Sequence, residues 1–221
     1  MKKTITAIVA AFAVASASAQ ELSISTTVGY ESTYIFRGAE LADDIFHGSV
    51  DFAYGDFYAG IWTAQPITES QANEIDFYAG YGVAVSDLVS LDFGGTIYYY
   101  PEAGSGDEST FEAYIGAAFD VLASPAIYVY YDFDLEWVTV EGSVGYSIPL
   151  SEEASFDLGG YIGYIDGDDI DGGYYVGATA DISYTFTDYA SGSIGIRVSD
   201  LDDDLGGDGE FYWGASFSAG F

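Results

Sequence analysis

The stretch FYWGASFSAGF, residues 211–221, alternates apolar and polar side chains without interruption. The apolar positions are Phe211, Trp213, Ala215, Phe217, Ala219 and Phe221. A period of two residues is that of a β-strand with one apolar and one polar face. The segment therefore predicts a strand, and the fold depends on whether its apolar face turns towards a protein core or towards lipid.

The same period recurs along the whole chain. It predicts twelve strands, at 21–33, 44–54, 57–64, 72–84, 88–100, 109–120, 126–135, 137–148, 154–164, 172–185, 190–198 and 210–221. Short connections near 55, 86, 122, 151 and 187 alternate with longer ones, rich in Gly and Asp, at 34–43, 65–71, 101–108, 165–171 and 199–209. The connection near 136 fits neither class. An even number of strands of about ten residues, with turns on one side and loops on the other, is typical of outer-membrane β-barrels.

A soluble β-sandwich is the alternative, because its strands alternate too. Three observations count against it. Small residues such as Ala79, Ala113 and Ala178 lie on the apolar face beside large ones, which suits lipid better than an interlocked core. The opposite face mixes tyrosines with carboxylates, and Phe221 resembles the C-terminal signal that the barrel-insertion machinery reads. We therefore predict an all-β, antiparallel up-and-down transmembrane barrel of about 12 strands, placed in the lipid of a Gram-negative outer membrane.

The first residues resemble a secretory signal peptide. Lys2 and Lys3 precede a short apolar stretch, and a run of small residues ends at Ala19. The stretch is too short to serve as a membrane anchor, which needs about 20 residues. We expect residues 1–19 to be removed and residues 20–221 to form the barrel.

The charge of the mature chain restricts its partners. Loss of Lys2 and Lys3 leaves 36 acidic residues against Arg37 and Arg197, a formal charge of −34. Such a chain repels nucleic acid and anionic membrane surfaces and attracts cations. There is no cysteine, so this exported chain is stabilised without disulfides.

If the apolar side chains face lipid, the alternate positions line the inside. The predicted pore-lining residues are Asp51, Asp76, Asp92, Glu112, Asp132, Glu141, Asp157, Asp181, Arg197, Tyr78, Tyr175 and Tyr212. The same parity turns Glu31, His47, Glu74, Asp120, Asp134 and Glu210 inward. Inward carboxylates are how cation pathways are built, so we predict a preference for cations if the pore is open. The alternative is that an acidic proteome places carboxylates wherever water reaches.

Six Tyr-x-Gly pairs recur on this inner face. They are Tyr58/Gly60, Tyr78/Gly80, Tyr114/Gly116, Tyr161/Gly163, Tyr175/Gly177 and Tyr212/Gly214. A ring beside a glycine can lie along the wall and cover exposed backbone, and glycine relieves the bending of a small barrel. We interpret the pairs as structural rather than as ligand-stacking platforms, and they imply a narrow lumen.

Two further chemistries are weaker hypotheses. The acidic segments 166–169 and 202–208 could bind calcium, but neither has EF-hand spacing, and solvated loops are the alternative. An outer-membrane lipase or acyltransferase would need a serine beside His47, the only histidine, and parity turns His47 inward. The sequence therefore predicts neither an enzyme nor a cofactor.

Several motifs resemble the TorF-type family of candidate porins from proteobacteria, long described as bacterial proteins of unknown function. They are Tyr34-Ile35-Phe36-Arg37-Gly38, Phe57-Tyr58-Ala59-Gly60-Ile61-Trp62, Glu74-Ile75-Asp76-Phe77-Tyr78-Ala79-Gly80-Tyr81 and Tyr98-Tyr99-Tyr100-Pro101. The resemblance is firmest over residues 28–101, and Ala39-Glu40 depart from the family pattern after Arg-Gly. It implies an outer-membrane barrel and a pore of no known substrate. Arg37 is its characteristic residue, and we expect it to brace the end of the first strand against nearby carboxylates.

Together these observations predict a narrow channel for passive diffusion of small solutes, with a preference for cations. The alternative is a non-conducting structural or adhesive barrel whose lumen is plugged by Trp62 and the inward tyrosines.

Overall fold

A computed structural model describes residues 21–68, 73–104 and 108–221, so the predicted signal peptide lies outside the described residues. The described chain forms fourteen strands and one turn of 3-10 helix, Asp203–Leu205. The strands are β1 (Leu22–Glu31), β2 (Tyr34–Phe36), β3 (Ala39–Ala42), β4 (Ile45–Tyr54), β5 (Phe57–Pro66), β6 (Glu74–Ala84), β7 (Val89–Tyr99), β8 (Ser109–Phe119), β9 (Ala126–Asp132), β10 (Trp137–Pro149), β11 (Ala154–Gly167), β12 (Ile170–Thr187), β13 (Ala190–Leu201) and β14 (Glu210–Gly220). Within these ranges no helix is long and apolar enough to cross a membrane.

Twelve of these strands close into an antiparallel barrel, as predicted. Each pairs with its neighbours in chain order, and β1 pairs with both β4 and β14. The seam is closed at the end of the chain, where Phe221 N–H donates to Ile24 O at 2.8 Å. Closure leaves no unpaired edge, so the backbone is satisfied without water.

The apolar face of each strand turns outward. Phe211 and Phe221 on the last strand are 66% and 82% exposed, and Val28, Phe46 and Ile115 are more than half exposed. A soluble protein would bury such residues, whereas lipid covers them in a membrane. This answers the question raised by residues 211–221, because their apolar face points away from the barrel interior.

The observed bounds of β9, β11 and β12 differ from the predicted segments. β9 ends at Asp132, three residues early, because Asp132 Oδ1 accepts the backbone N–H of Asp134 and Leu135, both at 2.9 Å, and so begins a turn. β11 extends to Gly167 and β12 begins at Ile170, so the prediction of a long loop at 165–171 was wrong.

We call the barrel end with both chain termini the turn end and the opposite end the loop end.

The predicted loop at 34–43 is instead a small hairpin of β2 and β3. Arg37, with a φ of 49°, and Gly38, with a φ of 85°, form its tip. A Cβ at Gly38 would lie 2.8 Å from Tyr175 Cβ on β12, so only glycine fits there. Contact with Tyr175 places the tip inside the barrel, and the hairpin is not a free surface loop.

Candidate functional site

The hairpin of residues 34–42, called here the lumen hairpin, crosses the barrel from its root after β1. Arg37 Nη1 donates to Glu112 Oε2 at 2.7 Å, and Arg37 Nη2 donates to Glu112 Oε1 at 2.8 Å. Glu112 belongs to β8, which is separated from β1 by four strands on one side and six on the other. A two-pronged ion pair therefore ties the hairpin tip to the far wall.

The tip of the lumen hairpin is tightly surrounded. The Arg37 guanidinium lies 4.5 Å from the ring centroid of Tyr130 and 4.7 Å from that of Phe36. Burial alone would lower the pKa of Arg37, but the hydrogen bonds and charge of Glu112 outweigh it and leave that pKa above its ordinary value. Arg37 therefore stays positively charged within the lumen.

The sides of the lumen hairpin pack on the wall near its root. Tyr34 OH donates to Glu74 Oε2 at 2.8 Å, and its ring lies 5.6 Å from that of Trp62. Ala42, at the end of the hairpin, is buried with Ile45 and Ala64 in a small apolar cluster. These contacts fill the lumen around β4, β5 and β6 at the loop end.

Below the lumen hairpin, tyrosine hydroxyls meet carboxylates across the strands. Tyr58 donates to Asp92 at 2.9 Å, and Tyr128 donates to Asp92 at 3.1 Å. Tyr58 also meets the hydroxyl of Tyr114. Similar bonds join Tyr78 to Asp51 and, at 2.8 Å, Tyr175 to Glu141. The tyrosines thus hold three of the predicted pore-lining carboxylates in place, Asp51, Asp92 and Glu141.

Four of the six Tyr-x-Gly pairs are arranged reciprocally between neighbouring strands. The ring of Tyr58 covers Gly80, and the ring of Tyr78 covers Gly60 on the opposite strand. Tyr161 and Tyr175 cover each other's Gly177 and Gly163 in the same way. Each of these four rings therefore lies over the glycine of its neighbour's pair, whereas Gly116 is covered by Tyr128 and Gly214 by Glu31.

The wall from β12 through β13 to β1 carries the second arginine. Arg197, which is 4% exposed, lies with Nε 3.3 Å from Glu31 Oε2 and with Nη2 3.1 Å from Asp181 Oδ1. His47 lies over Gly29 and stacks on Trp62, with ring centroids 6.1 Å apart. This wall brings both signs of charge together.

Hydroxyl groups line the lumen at the turn end. A cavity of about 90 Å³ there is lined by serines and by Glu153, Asp157 and Thr185, among others. Ser193 Oγ lies 2.9 Å from Ser216 Oγ, and Ser155 donates to Asp157 at 2.9 Å. The interior thus changes from acidic and aromatic at the loop end to hydroxyl-rich at the turn end.

The structure distributes the predicted pore-lining residues as follows. Asp76, Asp92, Glu112, Asp132, Asp181, Arg197 and Tyr175 are buried, and Asp51, Tyr78, Glu141, Asp157 and Tyr212 are half-buried. Asp120 and Asp134, expected to face inward, lie instead in exposed connections because the strands end before them. Arg37 does contact a carboxylate, but on β8 across the lumen, so the expected brace at the end of the first strand was wrong.

Sequence reasoning missed Tyr34 and the part played by Arg37. The available signal was the stretch around Arg37-Gly38, which holds one of the two arginines of the chain. Of the acidic segments, 166–169 lies mostly in β11 and a tight turn, and Asp202 accepts the N–H of Asp204. The described residues contain no group of three or more acidic or histidine side chains suited to a metal ion.

Comparisons of sequence place the chain in a family. The family model described as "Bacterial protein of unknown function (Gcw_chp)" matches residues 14–204. The chain belongs to this family. No curated protein matches its sequence. The family is thus one of unknown function, as the resemblance implied, and the name TorF stays a prediction.

Comparisons of structure show the fold. The KdgM porin matches with a TM-score of 0.62 and 11% identity, over 90% of this chain and 99% of its own. The COG4313 outer membrane channel from Pseudomonas putida F1 matches with a TM-score of 0.60 and 10% identity, over 93% and 97%. The NanC porin matches with a TM-score of 0.57 and 11% identity, over 89% of this chain and 98% of its own. With its apolar outer face, this fold is that of a barrel in the outer membrane of a Gram-negative bacterium.

Proposed function

We propose that the protein is a narrow porin-like channel for passive diffusion of small solutes, constricted by the lumen hairpin and selective for cations. The observation that carries this proposal is the ion pair of Arg37 with Glu112, which holds a chain segment across the barrel. A resident segment of this kind sets the pore size, because solutes must pass beside it. The fold shared with the KdgM and NanC porins supports the same reading.

Selectivity for cations follows from the balance of inward charges. Arg37 and Arg197 each lie against carboxylates and are locally neutralised. Other inward acids, including Asp51, Asp92 and Asp157, have tyrosine or serine hydroxyls as partners and no arginine. Their uncompensated charge attracts cations into the lumen and repels anions.

The channel is tested first by solute entry into proteoliposomes. Refolded residues 20–221 are compared with a variant whose residues 33–43 are replaced by a short Gly-Ser turn. We expect slow swelling in small neutral solutes such as glycerol, and faster swelling with a larger size limit in the variant. An unchanged size limit in the folded variant would contradict the role of the lumen hairpin.

The alternative is a barrel plugged by the same hairpin, since Tyr34 and Trp62 pack together at its root. In that case the parent protein would admit no solute although the variant does. A hydrolytic role gains no support from His47, because its buried Nε2 meets no hydrogen-bond partner among the described residues. Calcium binding at the acidic loops stays a hypothesis that equilibrium dialysis can test.

A further inference from the structure

Four polar side chains on the inner wall form a patch that the lumen hairpin does not contact through any described hydrogen bond or ion pair. Glu31, His47, Asp181 and Arg197, called here the Arg197 patch, lie on β1, β4, β12 and β13. These strands are consecutive around the barrel apart from β14, which contributes Gly214 between them. The patch is therefore one continuous surface of the lumen wall.

The hydrogen-bonding capacity of this patch is incompletely used. Among the described residues, six side chains have a buried polar atom without a hydrogen-bond partner, and four of the six belong to the patch. They are Glu31 Oε2, His47 Nε2, Asp181 Oδ1 and Arg197 Nη1. The two carboxylate atoms are ion-paired with Arg197 nitrogens at 3.3 Å and 3.1 Å, whereas His47 Nε2 and Arg197 Nη1 meet no partner among the described residues. Since such atoms are costly to bury, their concentration in one place points to a bound solute.

Glycines on the wall hold the patch side chains flat. Glu31 lies over Gly214, Asp181 over Gly195 and His47 over Gly29, and a Cβ at any of these glycines would overlap the side chain above it. The side chains therefore lie along the backbone of the wall. This repeated arrangement differs from the opposite wall, where the hydroxyls of Tyr58 and Tyr128 donate to Asp92.

We propose that the Arg197 patch binds small zwitterions, solutes that carry an ammonium and a carboxylate group on neighbouring atoms, as they cross the channel. Arg197 Nη1 donates to the solute carboxylate, and Glu31 Oε2 and Asp181 Oδ1 accept from its ammonium group. The inference rests on the proposed function, because it supplies a solute class to the same lumen.

The charges of the patch favour a zwitterion over simpler ions. A plain anion would satisfy Arg197 Nη1 but meet the carboxylates of Glu31 and Asp181 in a buried site. A plain cation would satisfy the carboxylates but leave the N–H groups of Nη1 without an acceptor. Of these solutes, only one with both charges offers an acceptor to Arg197 Nη1 and donors to the two carboxylates, and sites built to bond a group reject analogues that lack it.

Binding can be measured without any flow through the pore. Trp62 stacks on His47 at the edge of the patch and reports occupancy by its fluorescence, in a background with Trp137 and Trp213 changed to Phe. The refolded protein is titrated with glycine, methylammonium chloride, sodium acetate and glycerol. We expect a saturable signal for glycine and at least a severalfold weaker response to the other three.

Two variants locate the site. Arg197→Gln should abolish the glycine signal, and Glu31→Gln, which keeps the guanidinium, should weaken it severalfold. Asp120→Asn, which removes a carboxylate in an exposed connection after β8, is the control and should bind as the parent does. Folding of each variant is checked by its heat-dependent shift on a gel. If Arg197→Gln does not fold, the result for Glu31→Gln decides the test.

The outcomes separate this inference from the proposed function. Equal binding of methylammonium or glycerol, no binding of glycine, or full glycine binding by a folded Glu31→Gln protein would each overturn the zwitterion site. A protein that binds glycine as expected but conducts nothing would keep the site and refute the channel.

Discussion

At Gly116 a single added methyl group would overlap the ring of Tyr128, which lies against the backbone from the neighbouring strand. The same holds for Gly94 beneath Tyr114. At Gly142, on the other hand, the nearest atom to an added Cβ is Ala126 O at 3.9 Å. Glycines of the barrel therefore divide into those that seat a tyrosine and those that tolerate a side chain.

This division predicts different costs for the same substitution. Gly116→Ala should lower the free energy of unfolding by about 1–3 kcal/mol, because the ring of Tyr128 must leave its position. Gly142→Ala is the matched control and should change it little. Urea unfolding in lipid vesicles measures both values, and equal effects at the two positions would show that the rings are free to move.

Phe221 contributes to assembly more than to stability in this account. Its side chain is 82% exposed, while its backbone bonds to Ile24, and an alanine there keeps the backbone bonds. We expect Phe221→Ala to reduce the amount of barrel assembled in cells, in line with the prediction that Phe221 is an insertion signal.

The control for this prediction is Phe211→Ala, at the other end of β14, where the side chain is 66% exposed. Spontaneous refolding into vesicles of short-chain lipid should be similar for both variants and the parent. Equal loss of assembly in cells for Phe211→Ala would contradict a role as an insertion signal.

Among the elements, the lumen hairpin depends on one ion pair at its tip. Glu112 is 2% exposed and accepts two bonds from Arg37 and one from Tyr98 at 3.1 Å. Removing one partner of a buried pair leaves an uncompensated charge at a cost of about 3–5 kcal/mol. The hairpin should therefore leave the far wall when either partner is replaced.

Charge reversal tests this directly. Arg37→Glu and Glu112→Arg should each raise single-channel conductance, because two like charges repel the hairpin tip from β8. The double variant restores opposite charges and should return conductance towards the parent value. Single variants that conduct as the parent does, or a double variant no different from the singles, would contradict the ion pair as the restraint.

The strands were predictable because their period of two residues is imposed by lipid on every crossing. The structure at the loop end was less predictable from the sequence. The Gly-Asp composition of 165–171 is typical of a loop, yet cross-strand pairing continues to Gly167 and Ile170. The lumen hairpin is stabilised by Glu112, Glu74 and Tyr130, which lie far away along the chain. No local pattern at 34–42 could reveal these partners.

The parity of each strand predicted which side chains face the lumen, but not how they pair. The bonds of Tyr58 and Tyr128 with Asp92 depend on the stagger of three strands. The same is true of Arg197, whose carboxylate partners come from β1 and β12. The sequence alone thus predicts which side chains face the lumen. Their cross-strand partners are known only from the closed barrel.

For the whole molecule, the decisive property is whether the barrel passes cations or anions. Residues 20–221 carry thirty-six acidic residues against two arginines, so we predict that an open lumen prefers potassium to chloride. Asp157→Asn, at the hydroxyl-rich end, should weaken that preference, whereas Asp120→Asn, in an exposed connection, should not.

The most direct test is the reversal potential of single channels formed by refolded residues 20–221 in a planar bilayer under a potassium chloride gradient. The account predicts steady openings whose reversal potential has the sign of potassium current, shifting towards zero in Asp157→Asn and Asp92→Asn. Folded protein that never conducts, or one that prefers chloride, would contradict it.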